Sequence, residues 1–164
     1  MGWIRIGPIF FLLVLGLAPG PARADEPNQL ERQLLSLVNS ARETAGLPPL
    51  RLHADLTRAA RVQTLRMAIA GGLFHTEGPR LQEVTPWWTR LAENVGMGPT
   101  AERIHATFLA SPSHAANMLG DFNYVGVGAG RDSDDRLFVT VIFARIPSER
   151  VIHAAGVDAV PRPR

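Results

Sequence analysis

The chain has no cysteine and no lysine, and a single tyrosine. Without cysteine, neither a disulfide nor a lipid-modified cysteine is available. Export of a small disulfide-free domain suits a bacterial envelope or medium better than a eukaryotic secretory route. Without lysine, all 17 basic residues are arginine, set against 15 acidic ones. Arginine does not deprotonate in the accessible range, so the high isoelectric point says little about charge at neutral pH. No clustered basic face points to a nucleic acid. A long apolar run is also missing. Ile6 to Leu17 is too short to cross a bilayer comfortably, and Gly7, Pro8 and Gly16 interrupt it. With Arg5 before it and Ala22-Arg23-Ala24 after it, the segment reads as a secretory signal over residues 1–24, cleaved before Asp25. The competing reading is an uncleaved anchor. Cleavage removes Arg5 and Arg23 and leaves fifteen charges of each sign, and no transmembrane segment is then expected.

The 164 residues make room for one domain. Residues 28–45 carry Leu30, Leu34, Leu37, Val38 and Ala41 at helical spacing, with an Asn28/Glu31 capping box before them and Gly46 as the stop. Residues 55–70 predict a second helix, capped by Asp55, with Met67 as core filler and Gly71-Gly72 at its end. Residues 73–90 show no steady period. Trp87 and Trp88 are expected to cover the core under that loop. Leu91 to Met97 predicts a short strand. Thr100 caps a third helix running to Ala110, and Ser111-Pro112 opens a fourth that stops at Gly120. Tyr124–Gly130 and Leu137–Phe143 read as a β-hairpin closed by the acidic loop Arg131–Arg136, the second strand being apolar at both parities and so buried on both faces. Helices first and a hairpin last argue α+β, a small antiparallel sheet covered by helices. The pattern fades over 147–164, read as a C-terminal tail.

Three polar residues close otherwise apolar blocks. They are His75 in Leu73-Phe74-His75, Glu93 in Leu91-Ala92-Glu93-Asn94, and His114 in Ser111-Pro112-Ser113-His114-Ala115-Ala116-Asn117. Two imidazoles and a carboxylate suit a divalent cation or proton movement. They equally suit a network that pins a loop to the helices. His53, His105 and His153 lack supporting neighbours and are expected at the surface. Ser111, Ser113, His114 and Asp121 lie close in sequence, but Ser111 is better explained as a helix cap. Neither a Gly-x-Ser-x-Gly elbow nor a His-Glu-x-x-His helix is present, which argues against a hydrolase.

Taken in order, Val38-Asn39-Ser40-Ala41-Arg42, Gly46-Leu47-Pro48-Pro49-Leu50, Phe74-His75, Ala92-Glu93-Asn94, Ser111-Pro112-Ser113-His114 and Gly126-Val127-Gly128 resemble the CAP superfamily of cysteine-rich secretory, antigen 5 and pathogenesis-related 1 proteins. The cysteine-free form with Ser-Pro-x-His before Asn-x-Leu is similar to its short bacterial branch. The resemblance covers residues 29–146. It implies an α-β-α sandwich with an open cleft containing His75, Glu93 and His114, and zinc or another divalent cation as ligand. A second cleft acid does not carry over: Phe108-Leu109-Ala110-Ser111 stands where it is expected, and only Glu77 offers a substitute. The resemblance further implies a secreted, extracellular or envelope-located binding protein with weak metal affinity. The alternatives are a lipid- or sterol-binding protein, with Phe74, Trp87, Trp88 and Phe122 as groove candidates, and a metal-dependent hydrolase of the cell envelope. A cell-wall component is the other partner class.

Overall fold

The computed structural model describes residues 26–147. The proposed signal, the tail from residue 148 and His153 lie outside them.

Helix α1 (Gln29–Thr44) starts at the expected capping box. Asn28 Oδ1 accepts from the Glu31 amide at 2.9 Å, and the Glu31 carboxylate accepts from the Asn28 amide at 2.8 Å. Gly46, at φ +71°, takes the left-handed turn that ends it. Helix α2 (Ala54–Ala70) starts one residue earlier than its spacing predicts. Asp55 does not cap it: it sits in the first turn and pairs with Arg58 at 2.8 Å, while His53 occupies the cap position without a side-chain bond. A short helix α3 (Gly78–Gln82) lies where the sequence shows no period, because Pro79 pre-sets the first turn. Helix α4 (Ala101–Ala110) is capped by Thr100, whose hydroxyl accepts from the Arg103 amide at 3.3 Å. Helix α5 (Pro112–Met118) begins after Ser111, but Ser111 makes no side-chain cap bond. Its hydroxyl lies 3.3 Å from that of Ser113 instead.

The strands are β1 (Arg51–Leu52), β2 (Arg90–Gly98), β3 (Tyr124–Arg131) and β4 (Leu137–Arg145), in sheet order β1-β3-β4-β2. The β3-β4 hairpin and the β4-β2 pair are antiparallel, as expected. The two-residue β1 adds a parallel edge against β3, which makes the sheet mixed. β4 is buried on both faces from Leu137 to Ala144. Its odd-numbered residues, with Val125, Val127 and Ala129 of β3, meet Leu34 and Val38 of α1 and Ile104 and Phe108 of α4. Its even-numbered residues face α2 through Leu56, Ala60 and Met67. One sheet between two helical layers is the α-β-α sandwich.

The layers touch closely where β3 carries glycine. A Cβ on Gly126 would lie 2.1 Å from the Leu56 carbonyl carbon, and one on Gly128 2.4 Å from that of Ala60. The backbone of α2 therefore rests directly on β3. Loop 83–89 differs from expectation. Trp87 is 40% exposed and sits at φ +69°, and Trp88 is half-buried with its indole N–H donating to the Gln82 carbonyl at 3.0 Å. Neither tryptophan belongs to the core clusters, whereas Phe122 does.

Two histidines expected at the surface are half-buried. A ring nitrogen of His53 (Nδ1) and one of His105 (Nε2) are buried without a hydrogen-bond partner among the described residues. For His105, on α4, burial pushes the imidazole below its ordinary value, opposed by a hydrogen bond to the Leu37 backbone. The folded protein thus prefers neutral His105, while the unfolded chain takes up a proton near pH 6.5. Stability is expected to be full above about pH 6.5 and to fall as pH drops from there through the lower folded value. Urea unfolding of wild type and His105→Gln between pH 7.5 and 5 checks this, and the variant should show the shallower slope.

Candidate functional site

Glu93 and Asn94 are neighbours on β2, so the pleat sends their side chains to opposite faces of the sheet. Leu91 and Val95 share the α2 side with Glu93. Ala92 and Gly96 lie on the α4 side with Asn94. Ala92 packs on the α1/α4 core, and a Cβ on Gly96 would meet Ile104 and Phe108 at 2.9 Å. This alternation divides the three candidate residues between two faces.

On the α2 side, the turn after Gly71-Gly72 brings His75 and Thr76 over Glu93. His75 Nδ1 is 2.8 Å from Glu93 Oε1. The Thr76 amide donates to the same oxygen at 2.9 Å, and the Thr76 hydroxyl donates to Oε2 at 2.6 Å. The Glu93 side chain is 3% exposed and that of His75 61%. Facing a carboxylate oxygen, Nδ1 must carry the proton, so neutral His75 turns its Nε2 lone pair outward. A buried carboxylate thereby fixes both orientation and tautomer of an exposed imidazole. Gln63 of α2 anchors the approach, donating to the Phe74 carbonyl at 2.6 Å.

On the other side, the Asn94 amide donates to the His114 carbonyl at 3.0 Å. Asn117 donates to Asn94 Oδ1 at 2.8 Å and to the Glu93 carbonyl at 3.3 Å. These bonds fasten α5 to the edge strand. The His114 ring stacks at a tilt on Phe108, centroids 5.0 Å apart, and its Nδ1 is buried without a hydrogen-bond partner among the described residues. The structure therefore joins His75 directly to Glu93 and joins His114 to Glu93 only through backbone and asparagine. Thr76 and Asn117 are site residues that motif reading passed over. Their positions, one after His75 and three after His114, were the available signal. Glu77 stays outside, exposed and 3.6 Å from Arg80.

As a metal centre this donor set fits poorly. Both Glu93 oxygens already accept hydrogen bonds, and among the described residues no group of three or more His, Asp or Glu is arranged to hold a metal ion. One concavity among the described residues, about 630 Å³, runs along outer α1 past Leu35, Asn39 and Leu47 and includes none of the three. A smaller one of about 260 Å³, lined by Arg58, Val62, Arg66, Thr76 and Arg80, adjoins the His75–Glu93 pair and is the more relevant one. No described helix is long and apolar enough to cross a membrane.

Residues 35–143 match the CAP family, the cysteine-rich secretory protein family. The chain belongs to that family. No curated protein matches it in sequence. Among solved structures, this CAP chain is similar to an outer surface protein of Borrelia burgdorferi at TM-score 0.64 and 19% identity, covering 71% of this chain and 92% of that one. It is similar to a cysteine-rich secretory protein of Staphylococcus aureus at TM-score 0.60 and 24% identity, over 76% of this chain and 40% of the other. An extracellular SCP-domain protein of Bacillus anthracis gives TM-score 0.59 and 26% identity, over 77% and 45%. The chain thus spans less than half the length of the latter two. The CAP fold accounts for the sandwich and for the order of the blocks that carry His75, Glu93 and His114.

Proposed function

We propose that this CAP-domain protein is an exported binding module that works outside the cell or in the envelope, and that its recognition group is the outward-facing His75 imidazole. The observation that carries this reading is the buried Glu93 carboxylate holding an exposed ring by Nδ1. The Nε2 left outward accepts a hydrogen bond from an O–H or N–H of a ligand seated beside Thr76. Extracellular and outer-surface relatives of the same fold support the location. The apolar run and Ala22-x-Ala24 pattern support the export route. His114 serves the site from below, by fixing α5 against the strand that carries Glu93.

Divalent cations are expected to bind only weakly, through His75 with little help from other donors. Zinc titration of the chain from Asp25 onward, followed by two-dimensional NMR, should show weak, readily reversed binding, as expected of an incomplete ligand set. The shifts should be confined to the surroundings of His75 and absent in His75→Ala. Tight, saturable binding lost equally in His75→Ala and His114→Ala would instead establish a shared metal site. Cleavage of casein that disappears in Glu93→Gln would make the protein an enzyme.

A further inference from the structure

Of the large apolar side chains exposed among the described residues, four lie on or just after α2. Val62 is 55% exposed, Leu65 60%, Ile69 78% and Leu73 48%. Val62, Leu65 and Ile69 follow at steps of three and four, so they form one stripe on the outer face of the helix. The inner face is complete without them, since Leu56, Ala60 and Met67 are fully buried against the sheet. The stripe therefore has no role in the described core, and a β-branched side chain as exposed as Ile69 marks a contact surface.

The charge around the stripe selects the occupant. α2 carries Arg58, Arg61 and Arg66 against a single acid, Asp55. Arg58 meets Asp55 at 2.8 Å in an exposed pair that binds weakly. Arg61 is paired with Glu31. Arg66 has neutral partners, Gln63 Oε1 at 3.2 Å and the Phe74 ring at 5.5 Å. The stripe is a ridge flanked by concavities of about 190 and 260 Å³, the first lined by Arg61 and Arg131 with Glu31, the second by Arg58, Arg66 and Arg80 with Asp55. Arginines therefore outnumber acids on both flanks, although Arg80 and Arg131 also pair with Glu77 and Asp135. A second copy paired through a two-fold axis would set these arginines against themselves. The chain's own residues 148–164 carry three arginines against two acids and complement the ridge no better.

We propose that the outer face of α2 docks on an anionic lipid bilayer. Val62, Leu65 and Ile69 enter the acyl boundary, and the arginines beside them reach the lipid phosphates while their stems cover apolar surface. The ridge borders the Thr76-lined concavity that adjoins the His75–Glu93 pair, and the stripe variants used below leave His75 and Glu93 themselves in place.

The experiment is co-sedimentation of the chain from Asp25 onward, which contains every described element, with vesicles. Phosphatidylglycerol:phosphatidylcholine vesicles are compared with pure phosphatidylcholine. Wild type should bind the anionic vesicles more tightly, and added salt should weaken the binding. The double variant Leu65→Glu/Ile69→Glu should lose at least about tenfold in affinity. Arg66→Gln should lose about fivefold, the ratio expected for one basic residue beside an anionic surface. Thermal midpoints should be unchanged, because all three side chains reach solvent or neutral partners. Failure to bind anionic vesicles, or equal binding by wild type and the double variant, would overturn the proposal. So would a wild-type dimer in sedimentation equilibrium that the double variant abolishes, since the stripe would then be a protein interface.

Discussion

Gly126→Ala is expected to remove about 3 kcal/mol or more of stability, a large share of the roughly 5–15 kcal/mol by which ordinary domains are stable. The new Cβ would stand 2.1 Å from the Leu56 carbonyl carbon and 2.4 Å from the Thr57 nitrogen. Both are backbone atoms at the start of α2, so no rotamer change relieves the overlap. Either α2 lifts from β3, giving up the burial of Leu56 and Ala60, or the strand leaves the sheet. Gly130→Ala on the same strand and face is the control. Its added Cβ would meet only Thr64 Cγ2 at 3.9 Å, and it should cost less than about 1 kcal/mol. Urea unfolding of the two variants beside wild type checks the contrast.

Arg42→Met is expected to cost about 3–5 kcal/mol. Arg42 is 1% exposed although it belongs to a helix that is half in solvent. Its guanidinium donates to the carbonyls of Pro48 at 2.9 Å, Met118 at 2.8 Å, Gly120 at 2.9 Å and Phe122 at 3.4 Å. Burial pushes the guanidinium below its ordinary value, and the charge of Asp121 opposes the shift. Methionine keeps most of the volume but leaves those carbonyls without their donor. Three of them lie at the last residue of α5 and in the chain just after it, so the loss should be felt first there. Hydrogen exchange should show α5 opening more often, and Asn117 with it, while the His75–Glu93 contact on the opposite face persists. Protection of α5 amides equal to wild type would contradict this role for Arg42.

Local chemistry in the sequence determined a good deal. The Asn28/Glu31 box, the Gly46 and Gly71 stops, the Thr100 cap and the doubly apolar run of β4 each depend on groups a few residues apart, and each formed where its spacing placed it. The ordered blocks from Val38 to Gly128 sufficed for the CAP fold. Local signals failed where a residue had a competing partner. Asp55 gave up the cap for Arg58, and Ser111 turned to Ser113.

Tertiary structure decided the rest, because it depends on which face of a strand a side chain takes and on what lies across the sheet. Arg42 stood in the sequence only as the last residue of a family block, and the chain after α5 crossing over it makes it a buried donor. Trp87 and Trp88 read as core cover, yet loop 83–89 holds them outside the core. The site shows the same limit. His75, Glu93 and His114 were legible as three polar residues in a family order, but a period-two alternation on β2 sends Glu93 towards His75 and Asn94 towards α5. Sequence named the residues. The pleat of one edge strand determined that a carboxylate–imidazole pair sits on one face and an asparagine clamp on the other.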